Sequence, residues 1–314
     1  GESLGINNLS LYGYPKATTP RLKALKEKKE LIAKKLVSCA VSSDVSLPMI
    51  FHSQCSITAM PQIISANSCL FALAKKSGFV TRFHSAHPGD EMKGIHQYLC
   101  PRYIDHYSDA YDLVDDYKVQ INDLQILDFV DQVNWDLKQF VVLHMRSPHT
   151  PYEKNYPQEL EVFKKQKNES WAEKNIRTYN NSVHLVDLFV SKLITILDDK
   201  IKGRYHLFFL SDHGEAMGEG GRFGHSGLWP EQYQVPLLYK RGTQDTMIDE
   251  QLRDSPEWHS IKEASQLIGY ALGFYQDWRS KEKNPLVIGT EIEGRAGYLV
   301  LERTDTGFVI KERH

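Results

Sequence analysis

The sequence predicts an α/β protein in which helices cover a largely parallel sheet. Two observations carry this. Short apolar runs of strand length alternate with longer amphipathic runs of helix length, the pattern of layered α/β domains. Two of the short runs, "QFVVLHM" (139–145) and "YHLFFLSD" (205–212), are apolar enough to be buried on both faces, as parallel strands are. No internal repeat and no Gly/Ser- or Pro-rich linker interrupts the chain, so residues 1–314 read as a single catalytic-sized domain.

Taken in order, "RLKALKEKKE" (21–30) mixes charge signs as a solvated helix face does. "SLPMIFHSQCSITAMPQIIS" (46–65) reads as a short helix or turn region, and 61–76 as a helix. "FVTRFHSA" (79–86) and "VPLLYK" (235–240) join the two apolar runs as strands. The segment 171–199 is a long helix. In it Ile176, Val183, Val186, Val190, Leu193 and Leu197 recur at three- and four-residue steps and form one apolar face. "GYLVLERTDTGFVIKE" (297–312) reads as a hairpin with turn residues at its centre.

Bulk properties exclude some functions. With 38 basic and 40 acidic side chains the net charge is −2, which gives no electrostatic basis for binding nucleic acid. No run of about 18 apolar residues is present, so none of this sequence reads as a transmembrane helix. The chain opens on "GES" without an initiator methionine, and is read as the soluble part of a longer protein. Cys39, Cys55, Cys69 and Cys100 form no CxxC pair; their even number permits two disulfides, with connectivity left open.

The chemistry gathers where strands end, as it does in open α/β sheets. "FFLSDHGE" delivers Asp212 and His213, and "FVVLHMRSPHTPY" delivers His144 and then His149. "GRFGHSG" places His225 after a passage with glycines at 214, 218, 220, 221 and 224, which let the loop turn back toward Asp212 and His213. Carboxylate and imidazole together suit Zn²⁺, and Mn²⁺ less well. "SCAVSSDVSLP" (38–48) then acquires a purpose, because a metal ion lowers the pKa of a coordinated hydroxyl and makes it a nucleophile. The bland alternatives are a polar loop histidine in each case and an N-capping serine cluster.

Four stretches, "GESLGINNLSLYGYPKATTPRL", "SCAVSSDVSLPMIF", "LHMRSPHTPY" and "FFLSDHGEAMGEGGRFGH", occur in the order expected of the bacterial phosphoethanolamine transferases. The chain resembles that family, of the alkaline phosphatase/sulfatase superfamily, over most of its length and only vaguely from about 240 onward. The resemblance implies a three-layer α/β/α sandwich. It implies that Glu2, Asp212 and His213 hold one tightly bound Zn²⁺, with His149 and His225 near the substrate phosphate and a second metal position. The family's nucleophile pattern is Ser-Cys-Gly-Thr-x-Thr-x-x-Ser-x-Pro. Aligned without a gap on Ser38-Cys39 and Ser46-Leu47-Pro48, its attacking threonine falls on Ser43, with Ser42 facing away.

The sequence departs from the pattern at several points. Serine replaces threonine at position 43, Val41 replaces the first threonine, and Met49 stands where many members pair a cysteine with that at Cys39. Cys39 is therefore expected to be free or bonded to another of the four. His84, Ser85, His87 and Lys93 fall roughly where the family grips the headgroup. With the strand expected before Glu2 lying upstream of residue 1, Glu2 is expected to be frayed.

The resemblance further implies phosphatidylethanolamine as donor, lipid A or another part of lipopolysaccharide as acceptor, and a membrane-anchored domain facing the periplasm from the bacterial inner membrane. A phosphoglycerol transferase or phosphodiesterase of the same superfamily is the alternative, and a non-catalytic binding domain a second. A formylglycine sulfatase is disfavoured, since no C/S-x-P-x-R stretch occurs.

Overall fold

The computed structural model describes residues 1–113, 122–201, 204–242, 247–274 and 282–314. Its strands are β1 (Ile32–Val37), β2 (Val80–Ser85), β3 (His106–Ser108), β4 (Gln139–His144), β5 (His206–Leu210), β6 (Ala216–Met217), β7 (Phe223–Gly224), β8 (Gln234–Arg241), β9 (Trp258–Ser260), β10 (Leu286–Ile288), β11 (Tyr298–Thr304) and β12 (Gly307–Arg313). Its α-helices are α1 (Pro20–Glu27), α2 (Ser43–His52), α3 (Met60–Ser65), α4 (Leu70–Lys76), α5 (Gly89–His96), α6 (Leu127–Asp131), α7 (Trp171–Lys200), α8 (Pro230–Tyr233), α9 (Met247–Asp254) and α10 (Ile261–Ala271).

One sheet has the order β5-β8-β1-β9 and a second the order β3-β2-β4. Strands β2, β3 and β4 are parallel, as are β1 and β9, while β8 runs antiparallel to both β1 and β5. The two neighbours of β8 are thereby parallel to each other, and their C-terminal ends lie on one edge. That edge receives the loops that begin at Ser38 and Ser211. Strands β10, β11 and β12 form a separate antiparallel sheet, which contains the expected hairpin.

Side-chain alternation along the strands gives two main apolar cores, with a third, smaller cluster around Val37, Val41 and Val287. Ile32 and Leu36 of β1, and Val235, Leu237 and Tyr239 of β8, face a core shared with α2, α4, α9 and α10. Ala33 of β1, Leu238 of β8 and Phe209 of β5 face the opposite core, with Leu22 of α1 and the apolar stripe of α7. Sheet between two helical layers is the α/β/α arrangement the sequence implies.

Helix α7 runs from Trp171 to Lys200 and starts on a capping box. Ser170 Oγ accepts from Glu173 N, and a Glu173 carboxylate oxygen accepts from Ser170 N. Its Val183, Val186, Val190, Leu193 and Leu197 are all buried.

Two expectations are corrected and one alternative is settled. The helix expected over 61–76 is two, α3 and α4, broken where Ala66 takes φ 56° in the left-handed region. The loop that follows carries Cys69 into a disulfide with Cys100. Strands β4 and β5 are mostly half-buried, and it is β8 whose centre is buried. Of the two alternatives left for Cys39, the second holds: it is bonded to Cys55, another of the four, and Met49 packs fully buried in the core.

Candidate active site

The segment 1–4 lies along the end of β5. Gly1 N donates to Leu210 O at 2.7 Å, Asp212 N donates to Gly1 O at 3.3 Å, and Ser3 N donates to Asp212 Oδ1 at 3.2 Å. Leu4 N donates to Ser211 Oγ at 2.9 Å. Glu2 is consequently buried, 1 % exposed, which corrects the expectation that it is frayed. Gly214 lets the next loop close on this segment, for a Cβ there would sit 3.2 Å from Gly5 Cα and against the Glu231 carbonyl.

The serine-rich stretch leads from β1 into α2, and its four hydroxyls differ. Ser38 Oγ and Ser46 Oγ both donate to the Asp212 carbonyl, the latter at 2.5 Å, and so fix the loop after β5. Ser42 precedes α2, but its hydroxyl makes no capping bond and is buried without a partner. Ser43 is the first residue of α2 and is only half-buried. Its Oγ lies 2.5 Å from Asp212 Oδ2, 3.0 Å from Glu2 Oε2 and 3.2 Å from His213 Nε2. The first N–H groups of a helix lack intrahelical acceptors, so this hydroxyl stands beside a natural anion seat.

Glu2, Asp212 and His213 bring one ligand atom each to within 4.8 Å of one another. His213 Nδ1 lies 2.9 Å from Gly214 O, a partner that can only accept, so Nδ1 carries the proton and Nε2 faces the carboxylates. The electrostatics demand positive charge here. Burial raises Glu2, but the bond and charge of His213, with His87 and His149, outweigh it and hold Glu2 well below the carboxylate range. Burial and the neighbouring Glu2 raise Asp212. Burial lowers His213, yet Asp212 and Glu2 push it up to about 10. Two buried carboxylates, an imidazole nitrogen that faces them and a hydroxyl make a donor set that fits Zn²⁺.

The other residues singled out from the sequence fall into three groups. His225 follows the β6–β7 turn, which Gly218 (φ 112°) and Gly221 (φ 79°) permit. Its ring lies 4.5 Å from that of His213, and its Nδ1 is 2.8 Å from Glu215 Oε2. Tyr152 OH donates to the other oxygen of Glu215 at 2.5 Å. His149 is half-buried, donates from Nδ1 to Thr150 O at 2.6 Å, and stands edge-on to His87 with ring centres 5.9 Å apart. It is not among the clustered ligand atoms of Glu2, Asp212 and His213.

The strand-end residues of β2 diverge. Ser85 and His87 point to the site: Ser85 Oγ accepts from His87 N at 3.0 Å and bonds His144 Nδ1 at 3.0 Å. The His87 and His144 rings stack 4.6 Å apart. His84, on the other face of β2, is stacked on Phe129 and bonded to Ser108 Oγ at 2.6 Å, and burial lowers its pKa to about 4. It is not brought to the Glu2–Ser43 cluster. Lys93 is exposed on α5.

Two carboxylates escaped the sequence reading. Glu215 holds His225, and its signal is its place two residues after His213. Glu91 bonds His87 Nδ1 at 3.1 Å and pairs with Arg146 at 3.0 Å; its only signal is a spacing of four from His87.

A hydroxyl at a helix N-terminus, facing two carboxylates and a histidine at the end of a parallel-containing sheet, places the protein in the alkaline phosphatase/sulfatase type of α/β fold. Residues 1–256 match the Sulfatase family, and the chain belongs to it. The phosphoethanolamine transferase EptA of Helicobacter pylori is 28 % identical over 260 residues, which are 76 % of this chain and 46 % of that protein. The chain thus spans under half the length of the curated relatives it matches.

The soluble domain of lipooligosaccharide phosphoethanolamine transferase A from Neisseria meningitidis superposes with a TM-score of 0.69 at 21 % identity, covering 86 % of this chain and 85 % of that one. The periplasmic domain of EptC from Escherichia coli, in complex with Zn, gives a TM-score of 0.69 at 19 % identity, covering 86 % and 80 %. At these identities the two structures establish the fold.

Proposed function

We propose that the protein is a metal-dependent phosphoethanolamine transferase, with residues 1–314 as one catalytic domain and Ser43 as its nucleophile. The observation that carries the reading is the convergence of Glu2, Asp212 and His213 on Ser43 Oγ at 2.5–3.2 Å. Glu2, Asp212, His213 and Ser43 would hold Zn²⁺, which supplies a lowered pKa at a bound hydroxyl and positive charge for a phosphate.

In the first half-reaction Ser43 Oγ forms a bond to the phosphorus of phosphatidylethanolamine, the bond to the diacylglycerol oxygen breaks, and diacylglycerol leaves with a proton. His225 Nε2 and His149 Nε2 are the side-chain atoms offered to that oxygen and to the phosphate, since the Nδ1 of each is engaged by Glu215 and Thr150. In the second half, an oxygen of the acceptor attacks the phosphoethanolamine ester and Ser43 Oγ leaves, recovering its proton. The N–H groups opening α2 orient the phosphate in both halves. A sulfatase activity is disfavoured because Ile50 stands where Ser46-Leu47-Pro48 would need an arginine for formylglycine formation.

The acceptor is lipid A or another sugar of lipopolysaccharide, which puts the domain at the periplasmic face of the inner membrane. Two disulfides suit that oxidising compartment. Among the described residues no helix is long and apolar enough to cross a membrane, so membrane attachment would come from outside them. The test is mass spectrometry of lipopolysaccharide from cells with and without the gene. An added phosphoethanolamine, mapped to its sugar and dependent on the gene, supports the reading; identical lipopolysaccharide in both sinks it.

A further inference from the structure

Beside the Ser43 cluster lies a pair of histidines whose bonding is incomplete. His87 is 6 % exposed and His144 7 %, and the Nε2 of each is buried without a hydrogen-bond partner. Leaving such an atom unpaired in an interior is costly. The opposite nitrogens are well held. His87 Nδ1 bonds a Glu91 carboxylate oxygen, which can only accept, so the proton sits on Nδ1 and Nε2 presents a lone pair. His144 Nδ1 bonds Ser85 Oγ, which also accepts the His87 N–H; either atom can donate in the Ser85–His144 bond, and with the hydroxyl accepting, His144 Nε2 carries the lone pair.

The third group facing them is Glu2. Its Oε2 lies 4.0 Å from His87 Nε2, while its Oε1 lies 3.3 Å from His213 Nε2. Glu2, His87 and His144 each bring a ligand atom to within 4.8 Å of the others. Two imidazole lone pairs and a carboxylate oxygen turned toward one point attract a cation and repel a phosphate oxygen. Histidines held at one nitrogen by a carboxylate or hydroxyl, with the other free, are the usual supported metal ligands. Zinc–ligand bonds of about 2.0–2.1 Å put ligand atoms roughly 3.4 Å apart, so the cluster needs to tighten by about 1 Å.

We propose that His87, His144 and Glu2 form a second divalent-cation site, with Glu2 bridging it to the centre at Asp212 and His213. The proposal rests on the reading of Glu2, Asp212 and His213 as a metal centre, whose carboxylate it shares. It assigns His87 to a metal and not to the donor headgroup, and it gives His144 the role that its position at the end of β4 leaves open.

The test is metal content of the intact protein, stripped with a chelator, reloaded with Zn²⁺ and freed of excess by gel filtration. Two equivalents are expected in the wild type, and one in the His87→Asn/His144→Gln double variant and in Asp212→Asn. Glu91→Gln leaves all three ligands in place, and is expected to weaken retention of one ion about tenfold in a chelator competition. It serves as the reading should the double variant fail to fold by circular dichroism. In protein loaded with Mn²⁺, a shared carboxylate should produce a spin-coupled signal that the double variant loses.

A wild type holding one ion that Asp212→Asn removes overturns the second site and leaves the first standing. A double variant that retains two ions overturns it as well. If Asp212→Asn retains two ions while the double variant loses one, the second site stands and the first is refuted.

Discussion

Ser43 Oγ and Asp212 Oδ2 stand 2.5 Å apart although 169 residues separate them. Strands β1 and β5, each antiparallel to β8, bring the two loops to the same edge. Ser38 and Ser46 then lock the loops together through the Asp212 carbonyl. The serine proposed to react is thereby set apart from those that hold the loop.

That division makes the first prediction. Ser43→Ala should abolish the phosphoenzyme, detected as a phosphoethanolamine adduct on the peptide holding residue 43 after incubation with phosphatidylethanolamine. Ser42→Ala should leave the adduct largely intact, because the Ser42 hydroxyl bonds nothing. An adduct that survives in Ser43→Ala and disappears in Ser42→Ala would remove the assignment.

Glu215 supplies a second. It spans Tyr152 and His225, one partner to each carboxylate oxygen. Glu215→Gln keeps the shape but removes the negative charge and gives one side an amide N–H₂ in place of an acceptor, so the bond to Tyr152 reverses direction or the bond to His225 is weakened. If His225 acts on the leaving oxygen, kcat should fall about ten- to a hundredfold, the range for general acid–base groups and the residues that orient them, with KM little changed. A shifted pH profile of kcat would mark a positioning role, since loss of folded protein alone scales the profile without moving it. An unaltered kcat would show that the Glu215 carboxylate is not needed to position His225.

Much of this site was legible because strand ends write themselves into sequence. An apolar run that stops on Asp212-His213, or on His144, marks both the strand and what it carries. Ser43 was legible only by alignment to the family pattern, for four serines in eleven residues look alike until their partners are known. Other features were hidden by side chains that serve two environments. Strand β1 carries Lys34 and Lys35 at its centre, and nothing in its sequence signals a strand. Its lysines are accommodated because Lys34 Nζ donates to Ser255 O at 2.8 Å and Lys35 lies over the Trp258 ring at 5.4 Å. The break at Ala66 has no glycine or proline to announce it; a left-handed alanine is a tertiary choice. Glu91 and His87 are separated by a helix start, so their spacing of four carried no helical signal.

The Cys39–Cys55 disulfide closes a loop of sequence separation 16 that contains all of α2, Ser43 included. Crosslinking a loop of this size stabilises a protein by about 3 kcal/mol in the chain-entropy account. The Cys39→Ala/Cys55→Ala double variant should therefore lose roughly 2–3 kcal/mol in denaturant unfolding, the native contacts being otherwise retained. Its activity should fall more steeply with temperature than that of the wild type, because α2 carries Ser43, the proposed nucleophile. A variant as stable as the wild type would show that the crosslink constrains nothing the core does not already fix.

The last prediction lies away from the proposed metal ligands. Glu263 opens α10 and gathers partners from three segments: Arg303 of β11, the backbone N–H of Glu282 at 2.9 Å, and His259 Nδ1 at 3.2 Å. It also accepts from Ser260 N at 3.2 Å as part of the helix's capping box. Burial pushes its carboxyl up, but the His259 bond and the Arg303 charge outweigh this and leave it below the ordinary value. A depressed pKa contributes stability that is complete above the unfolded value of about 4.5 and is lost as pH falls through the folded one. Denaturant unfolding followed from pH 7 downward should thus show stability falling below about pH 4.5. Glu263→Gln should cost about 3 kcal/mol at pH 7, since it leaves Arg303 largely buried without its counter-charge. In the acid range it should narrow its deficit against the wild type, because the charge it lacks is being neutralised there anyway. A deficit that stays constant down to pH 3 would show that the loss comes from packing and that the carboxylate's charge has no part in it.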